Sequence, residues 1–153
     1  MNNLFFTINN NNFLIRPLHY NDITENYIKM LKQLTKIDNL NKEKTINFIQ
    51  SLNENHSVFI IEDYKINKII GSGTIYIENK LIHNNGKVGH IEDIVIEKKY
   101  RHYGLGKKLI NFLTEYAKNK NCYKCILDCS ENNVIFYEKC NYERKGIEMA
   151  IYF

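Results

Sequence analysis

The segment Arg101-His-Tyr-Gly-Leu-Gly106 places two glycines where a β-branched run gives way to helical spacing. Glycines at such a junction let backbone N–H groups approach an anion closely, and a helix N-terminus adds the positive end of its dipole. Arg101 and Lys107 supply mobile positive charge beside it, so His102, Tyr103 and Leu105 sit inside a candidate pyrophosphate cradle. The bland alternative is a tight turn that merely starts a helix. The spacing is not that of the phosphate loop GxxxxGK followed by Ser or Thr. Nor is it a dinucleotide fingerprint, which follows the first strand of a βαβ repeat.

Acidic residues stand in unusual company. Glu92 and Asp93 interrupt the β-branched run Val88 to Glu97, and Asp128 lies in the apolar stretch Tyr123 to Cys129. Strands disfavour acids, and their burial is costly. Neighbours in a strand point to opposite faces, so Glu92 and Asp93 are expected on opposite sides of a sheet, with a solvated edge as the alternative. No Ser-His-Asp set or clear Cys-His pair suggests a covalent acyl-enzyme. His19, His56 and His90 carry no visible chemistry and read as surface or satisfied residues. Cys122, Cys125 and Cys129 tempt a zinc reading, but four strand residues span ~13 Å, too far for Cys125 and Cys129 to share one ion. The four cysteines, Cys140 included, read as small thiols in a reducing compartment, and no metal is expected.

These residues need a frame. Phe13 to Leu18 reads as a first strand, and the Asn9 to Asn12 run before it as a surface turn or frayed arm. Ile23 to Leu34 has helical spacing, and Asn41 is placed to cap a second helix. Strands are expected at Val58 to Ile61, Ile69 to Glu78 and Val88 to Glu97. From Leu105 to Ala117 one apolar stripe follows a helical period. Tyr123 to Cys129 returns to strand, Asn132 to Lys139 is a short helix, and the alternation of Ile147, Met149 and Ile151 predicts a closing strand over Glu143 to Phe153. The order β-α-α-β-β-β-α-β-α-β is that of an α+β domain with a mixed sheet.

The 153 residues suit one domain, residues 1–153. A net charge of +4 comes from scattered lysines without a dense basic run, so neither nucleic acid nor a membrane is expected as a partner. No apolar run approaches the ~20 residues of a membrane span, and the N-terminus lacks the pattern of a secretory signal, so a cytoplasmic protein is expected.

Arg101-x-x-Gly104-x-Gly106, after His90-Ile-Glu-Asp-Ile-Val-Ile96, resembles the cofactor loop of the GNAT acetyltransferase superfamily. Asn133-Val-Ile-Phe-Tyr137 resembles that superfamily's second signature, and Ile15-Arg-Pro-Leu18 is a common opening there. A narrower group is also suggested. Lys80-Leu-Ile-His83, Gly89-His-Ile-Glu-Asp-Ile94, Cys122-Tyr-Lys124 and Leu127-Asp-Cys129 are similar to segments of the glucosamine 6-phosphate N-acetyltransferase family. The resemblance covers nearly the whole chain in the right order. It implies a GNAT fold, a mixed, mostly antiparallel sheet flanked by helices. It also implies acetyl transfer from acetyl-CoA to the 2-amino group of glucosamine 6-phosphate, by direct attack, for UDP-N-acetylglucosamine synthesis. A homodimer with a C-terminal segment crossing to the partner is implied as well.

The same resemblance distributes roles. The backbone of Ile94, Val95 and Ile96 donates to the thioester carbonyl and the pantetheine amides, at a bulged strand. An ordinary core strand is compatible with that. Asn133 bonds the pantetheine arm. Glu92 and Asp93 hold the sugar and the amine end, and Asp128 helps take the amine proton. Tyr137 protonates the departing thiolate. Lys124 is the leading phosphate cation, followed by Lys80 and His83 in a loop able to reach across a dimer, and Thr35 adds a hydroxyl. Two positions depart from the family. Tyr152 stands where an arginine is expected to bind phosphate, with Arg144 or Lys145 as substitutes. His102 stands where glycine is common. The rival expectations are a GNAT acting on another amine, such as a peptide N-terminus or a polyamine, and a non-catalytic CoA-binding module.

Overall fold

The computed structural model describes residues 3–37 and 40–153. Its frame is a six-stranded sheet in the order β1-β2-β3-β4-β5-β6. The strands are β1 (Leu4–Ile8), β2 (Asn11–Pro17), β3 (His56–Asp63), β4 (Lys68–Asn79), β5 (Lys87–Ile96) and β6 (Cys122–Ile126). Neighbours run antiparallel from β1 to β5, and β6 joins β5 in parallel. The mixed, mostly antiparallel α+β architecture expected from the sequence is therefore present.

The main helix, α4 (Leu105–Asn119), lies on one face of the sheet. Its stripe Leu105, Leu109, Phe112, Leu113, Tyr116 and Ala117 is buried with Phe13, Ile15, Phe59, Ile75 and Ile91. On the other face α1 (Glu25–Leu31) sets Tyr27 and Met30 against Val58, Ile60 and Val95. Ile49 of α2 (Lys42–Ser51) packs at the margin of that second cluster. Caps fix where these helices start. Thr24 accepts from the Tyr27 N–H, and Asn41 accepts from the Lys44 N–H, as its sequence position predicts. Arg16 bonds both carboxylate oxygens of Asp22, at 2.6 and 2.8 Å, and Glu62 at 2.9 Å, which anchors the approach to α1 onto β2 and β3.

The structure departs from the expected order at both ends. An unexpected strand, β1, precedes the first predicted one. Asn9 and Asn10 turn the chain between them with φ of 49° and 63°, the left-handed pair a two-residue hairpin demands, so the Asn run is a turn and not a frayed arm. At the other end residues 143–153 form no strand. Ile147, Met149 and Tyr152 are each more than 90% exposed, because the alternating apolar pattern has no neighbour within this chain. Strand β6 also stops at Ile126, so Asp128 stands on the extended chain beyond the sheet. The next helix, α5, is limited to Val134–Glu138. Between β4 and β5 lies a four-residue turn, α3 (Ile82–Asn85), with His83 and Asn84 in the left-handed region. Among the described residues no helix is long and apolar enough to cross a membrane.

Candidate functional site

The site is made by a defect in β5 and by the divergence of β5 from β6. Thr74 pairs with Glu92, but Ser72 pairs with Val95, so β5 carries one extra residue opposite Gly73. Asp93, at φ 54°, lies at this bulge. The effect on side chains is plain from the core. Ile91 packs in the cluster under α4, whereas Val95, four residues on, packs in the cluster under α1. An unbroken strand would send both to one face.

The two acids flank this bulge. Glu92 acts electrostatically on Tyr137, which packs against the cluster under α4. Both acids are exposed, and Asp93 acts electrostatically on Tyr27, on the α1 side. The Glu92 carboxyl is raised above its ordinary range, first by burial and then by the charges of Asp128 and Asp93. The three carboxylates thus share one acidic corner.

Strand β6 follows β5 only as far as the pair His90 and Ile126. Beyond it the two strands separate, and the backbone of Ile94, Val95 and Ile96 keeps β4 as its one strand neighbour. Across the opening stands α5, whose Tyr137 lies between Phe136 and Tyr142, with ring centroids at 4.9 and 6.5 Å. Burial, followed by the neighbouring Cys129, Cys140 and Glu92, pushes its phenol up to about 12. At neutral pH the phenol therefore keeps its proton.

Arg101 to Lys107 closes one end of this opening. Gly104 caps α4 at φ 78°, and no atom lies within 4 Å of the place a β-carbon would occupy. Among the described residues no side chain accepts from the first N–H groups of α4. Those groups are left for an external acceptor, which fits an anion at the cradle. Gly106 has a packing role as well. A β-carbon there would stand 3.1 Å from Phe136, so the missing side chain lets α5 close against α4. His102 adopts φ 74°, a conformation that explains why glycine suits this place.

Arg101 is not the mobile charge expected. Its Nε donates to the Ile96 carbonyl at 3.0 Å, and Nη2 reaches Gln33 Oε1 at 3.4 Å. Lys107 is exposed on the first turn of α4, and Asn133 is the residue at which α5 begins.

Among the described residues the candidate phosphate cations divide into free and engaged groups. Lys124 and His83 gather around Tyr123. The His83 ring lies 4.6 Å from the Tyr123 ring, and Lys124 Nζ lies 5.8 Å from it. The β4–β5 loop therefore reaches the start of β6 within one chain. Lys80 is held by Glu78 at 2.5 Å, and Glu78 also takes His90 Nε2 at 2.9 Å. Arg144 pairs with Glu131 and Lys145 with Glu143. Thr35 is exposed just beyond the end of α1.

Two contributors were not singled out in the sequence. Gly73 lies opposite the bulge, and the Gly71-Ser-Gly73 spacing inside a strand is a recognisable signal for such a defect. The buried pair of the Tyr27 hydroxyl and Ser72 Oγ, 3.0 Å apart, braces the strand beside it. Nothing in the residue pattern announces that contact. The four cysteines are free thiols.

The model of the acetyltransferase (GNAT) family matches residues 21–142. A glucosamine 6-phosphate N-acetyltransferase of Dictyostelium discoideum is 45% identical over 140 residues, covering 90% of this chain and 88% of that protein. One from Arabidopsis thaliana is 40% identical over 144 residues, covering 92% of this chain and 97% of that one. The crystal structure of glucosamine-6-phosphate N-acetyltransferase from Arabidopsis thaliana superposes with a TM-score of 0.86 over 92% of this chain and 98% of the other. An acetyltransferase structure with acetyl-CoA from Clostridium acetobutylicum, at 22% identity and a TM-score of 0.71, shares the fold. The sequence motifs, the bulged and splayed β5 and these likenesses agree: the chain belongs to the acetyltransferase (GNAT) family, in the group that holds the glucosamine 6-phosphate N-acetyltransferases.

Proposed function

We propose that this protein transfers the acetyl group of acetyl-CoA to the 2-amino group of glucosamine 6-phosphate, giving N-acetylglucosamine 6-phosphate for UDP-N-acetylglucosamine synthesis. The observation that carries the reading is the acidic corner of Glu92, Asp93 and Asp128, set beside Tyr137 at the point where β5 and β6 part. When bound, acetyl-CoA supplies an activated acyl group as a thioester.

The chain's own residues do the rest. The start of α4, where Gly104 offers no side-chain acceptor, binds the pyrophosphate together with Gly106, and Lys107 adds charge. The Ile94, Val95 and Ile96 backbone donates to the thioester oxygen and the pantetheine amides, which bonds in a β5–β6 ladder would otherwise consume. Asn133 bonds the same arm. A sugar amine arrives mostly as an ammonium ion, and three carboxylates attract it. Asp128 takes the proton that makes the amine a nucleophile, and Glu92 and Asp93 orient the sugar. Tyr137 keeps its proton at neutral pH and gives it to the leaving sulfur.

Lys124 holds the sugar phosphate, with His83 near it and Thr35 adding a hydroxyl contact. Lys80 requires release from Glu78 before it can take part. The exposed apolar tail, Ile147 to Phe153, crosses to a second copy in a homodimer and brings Tyr152 toward the partner's site. The dimer works in the cytoplasm without metal, nucleic acid or membrane. Competition of glucosamine 6-phosphate against spermidine and a peptide N-terminus for one acetyl donor tests the acceptor class. Preferential acetylation of the sugar phosphate is expected, and preferential acetylation of either other amine contradicts it.

A further inference from the structure

The loop that carries the pyrophosphate cradle is fastened from outside by one exposed side chain. Gln33 lies in the turn just beyond α1, far in sequence from the loop. Its amide oxygen accepts from the Lys98 N–H at 2.9 Å and from Arg101 Nη2 at 3.4 Å. Its amide nitrogen donates to Glu97 Oε1 at 2.9 Å. Arg101 in turn donates from Nε to the Ile96 carbonyl at 3.0 Å. One amide thus engages three residues of the segment between β5 and α4, using both its donor and its acceptor.

Glutamine suits this place for a chemical reason. A carboxylate would meet Glu97, a lysine would meet Arg101, and an apolar side chain would leave the Lys98 N–H without its acceptor. The turn of Lys98 to Tyr100 and the left-handed His102 and Gly104 give the segment little regular structure of its own. The cradle's shape therefore depends on being held at its start.

We infer that Gln33 is a positioning residue for donor binding: it clamps Glu97, Lys98 and Arg101 so that the N–H groups of the following loop face the pyrophosphate. Arg101 then acts chiefly as a brace between Gln33 and Ile96. The inference rests on the CoA reading of the cradle. Because Gln33 touches neither the reacting atoms nor the proposed acid and base, its loss acts on donor affinity and not on the chemical step.

The test is CoA binding by calorimetry, with acetyl-CoA kinetics at saturating glucosamine 6-phosphate. Gln33→Leu and Gln33→Glu are each expected to weaken CoA binding by roughly tenfold, the effect of losing about one good polar contact. KM for acetyl-CoA should rise, with kcat at saturation nearly kept. In the double variant Gln33→Glu with Glu97→Gln, donor and acceptor are exchanged across the contact, and the affinity should return. Wild-type affinity in either single variant, no recovery in the double variant, or a fall in kcat without a change in KM overturns the clamp. Failure of the unaltered protein to bind CoA at all overturns the cradle itself and the clamp with it, an outcome distinct from the others.

Discussion

Ile94 lies directly over the α-carbon of Gly73: a β-carbon built on Gly73 would stand 2.5 Å from Ile94 Cδ1. Cδ1 is the free end of that side chain and can give way, but Leu113 Cδ1 and Leu109 Cδ2 would also stand 3.1 and 3.2 Å away, so a side chain at position 73 crowds the packing between α4 and the bulge. The site's backbone donors lie on the same strand as Ile94. Gly73→Ala should therefore cost about 1–3 kcal/mol of stability from overpacking. It should also lower kcat about tenfold or more through misplaced donors. Thermal unfolding and steady-state rates measured together check this. A stable variant with full kcat would mean that the bulge is dispensable.

Tyr137 gives a prediction with a defined pH dependence. Its phenol is pushed up to about 12, mainly by burial. It is therefore protonated throughout the neutral and mildly alkaline range. Tyr137→Phe should lower kcat on the order of 100-fold, with a smaller change in the acetyl-CoA KM. The ratio of wild-type to variant kcat should stay flat between about pH 6 and 10, because the phenol does not titrate there. An unchanged kcat removes Tyr137 from the acid role. A ratio that collapses near neutral pH contradicts the raised phenol.

Lys124 is the lysine candidate without a carboxylate partner among the described residues, whereas Lys80 is occupied by Glu78. Lys124→Ala should raise KM for glucosamine 6-phosphate about tenfold while leaving that for glucosamine unchanged, since it removes a charge-assisted contact to phosphate alone. Equal KM values in variant and wild type for the phosphorylated sugar would shift the role to Lys80 and His83.

His102 holds a left-handed backbone, φ 74°, that costs a residue with a β-carbon about 1–2 kcal/mol. His102→Gly relieves that cost and gives back part of it as chain entropy in the unfolded state. The expected net gain is up to about 1 kcal/mol in chemical unfolding. A clear loss of stability would show that the imidazole makes a contact worth more than the strain.

The elements that position the site were legible where periodicity is strong. The stripe of α4, the β-branched run of β5 and the glycines at their junction all carry a pattern that burial explains. Strand β1 was not legible, because an Asn-rich turn hides the hairpin's alternation. Ile147, Met149 and Ile151 alternate as a strand does, but alternation says that one side of a segment seeks cover and not which chain supplies it. The acids were found by their residue types, yet their relative placement depends on one extra residue in β5. A period of two cannot reveal where it is broken, although Gly73 marks the spot. Gln33 was invisible for a simpler reason: an exposed glutamine after a helix belongs to no pattern.

The central claim is that this chain acetylates the amine of a phosphorylated amino sugar. Thiol release from acetyl-CoA, measured at steady state with glucosamine 6-phosphate and with glucosamine, tests it most directly. A kcat/KM at least about 100-fold higher for the phosphorylated sugar is expected, since a charged phosphate contact is worth about 3 kcal/mol. Equal kcat/KM for the two amines, or no thiol release with either, would contradict it.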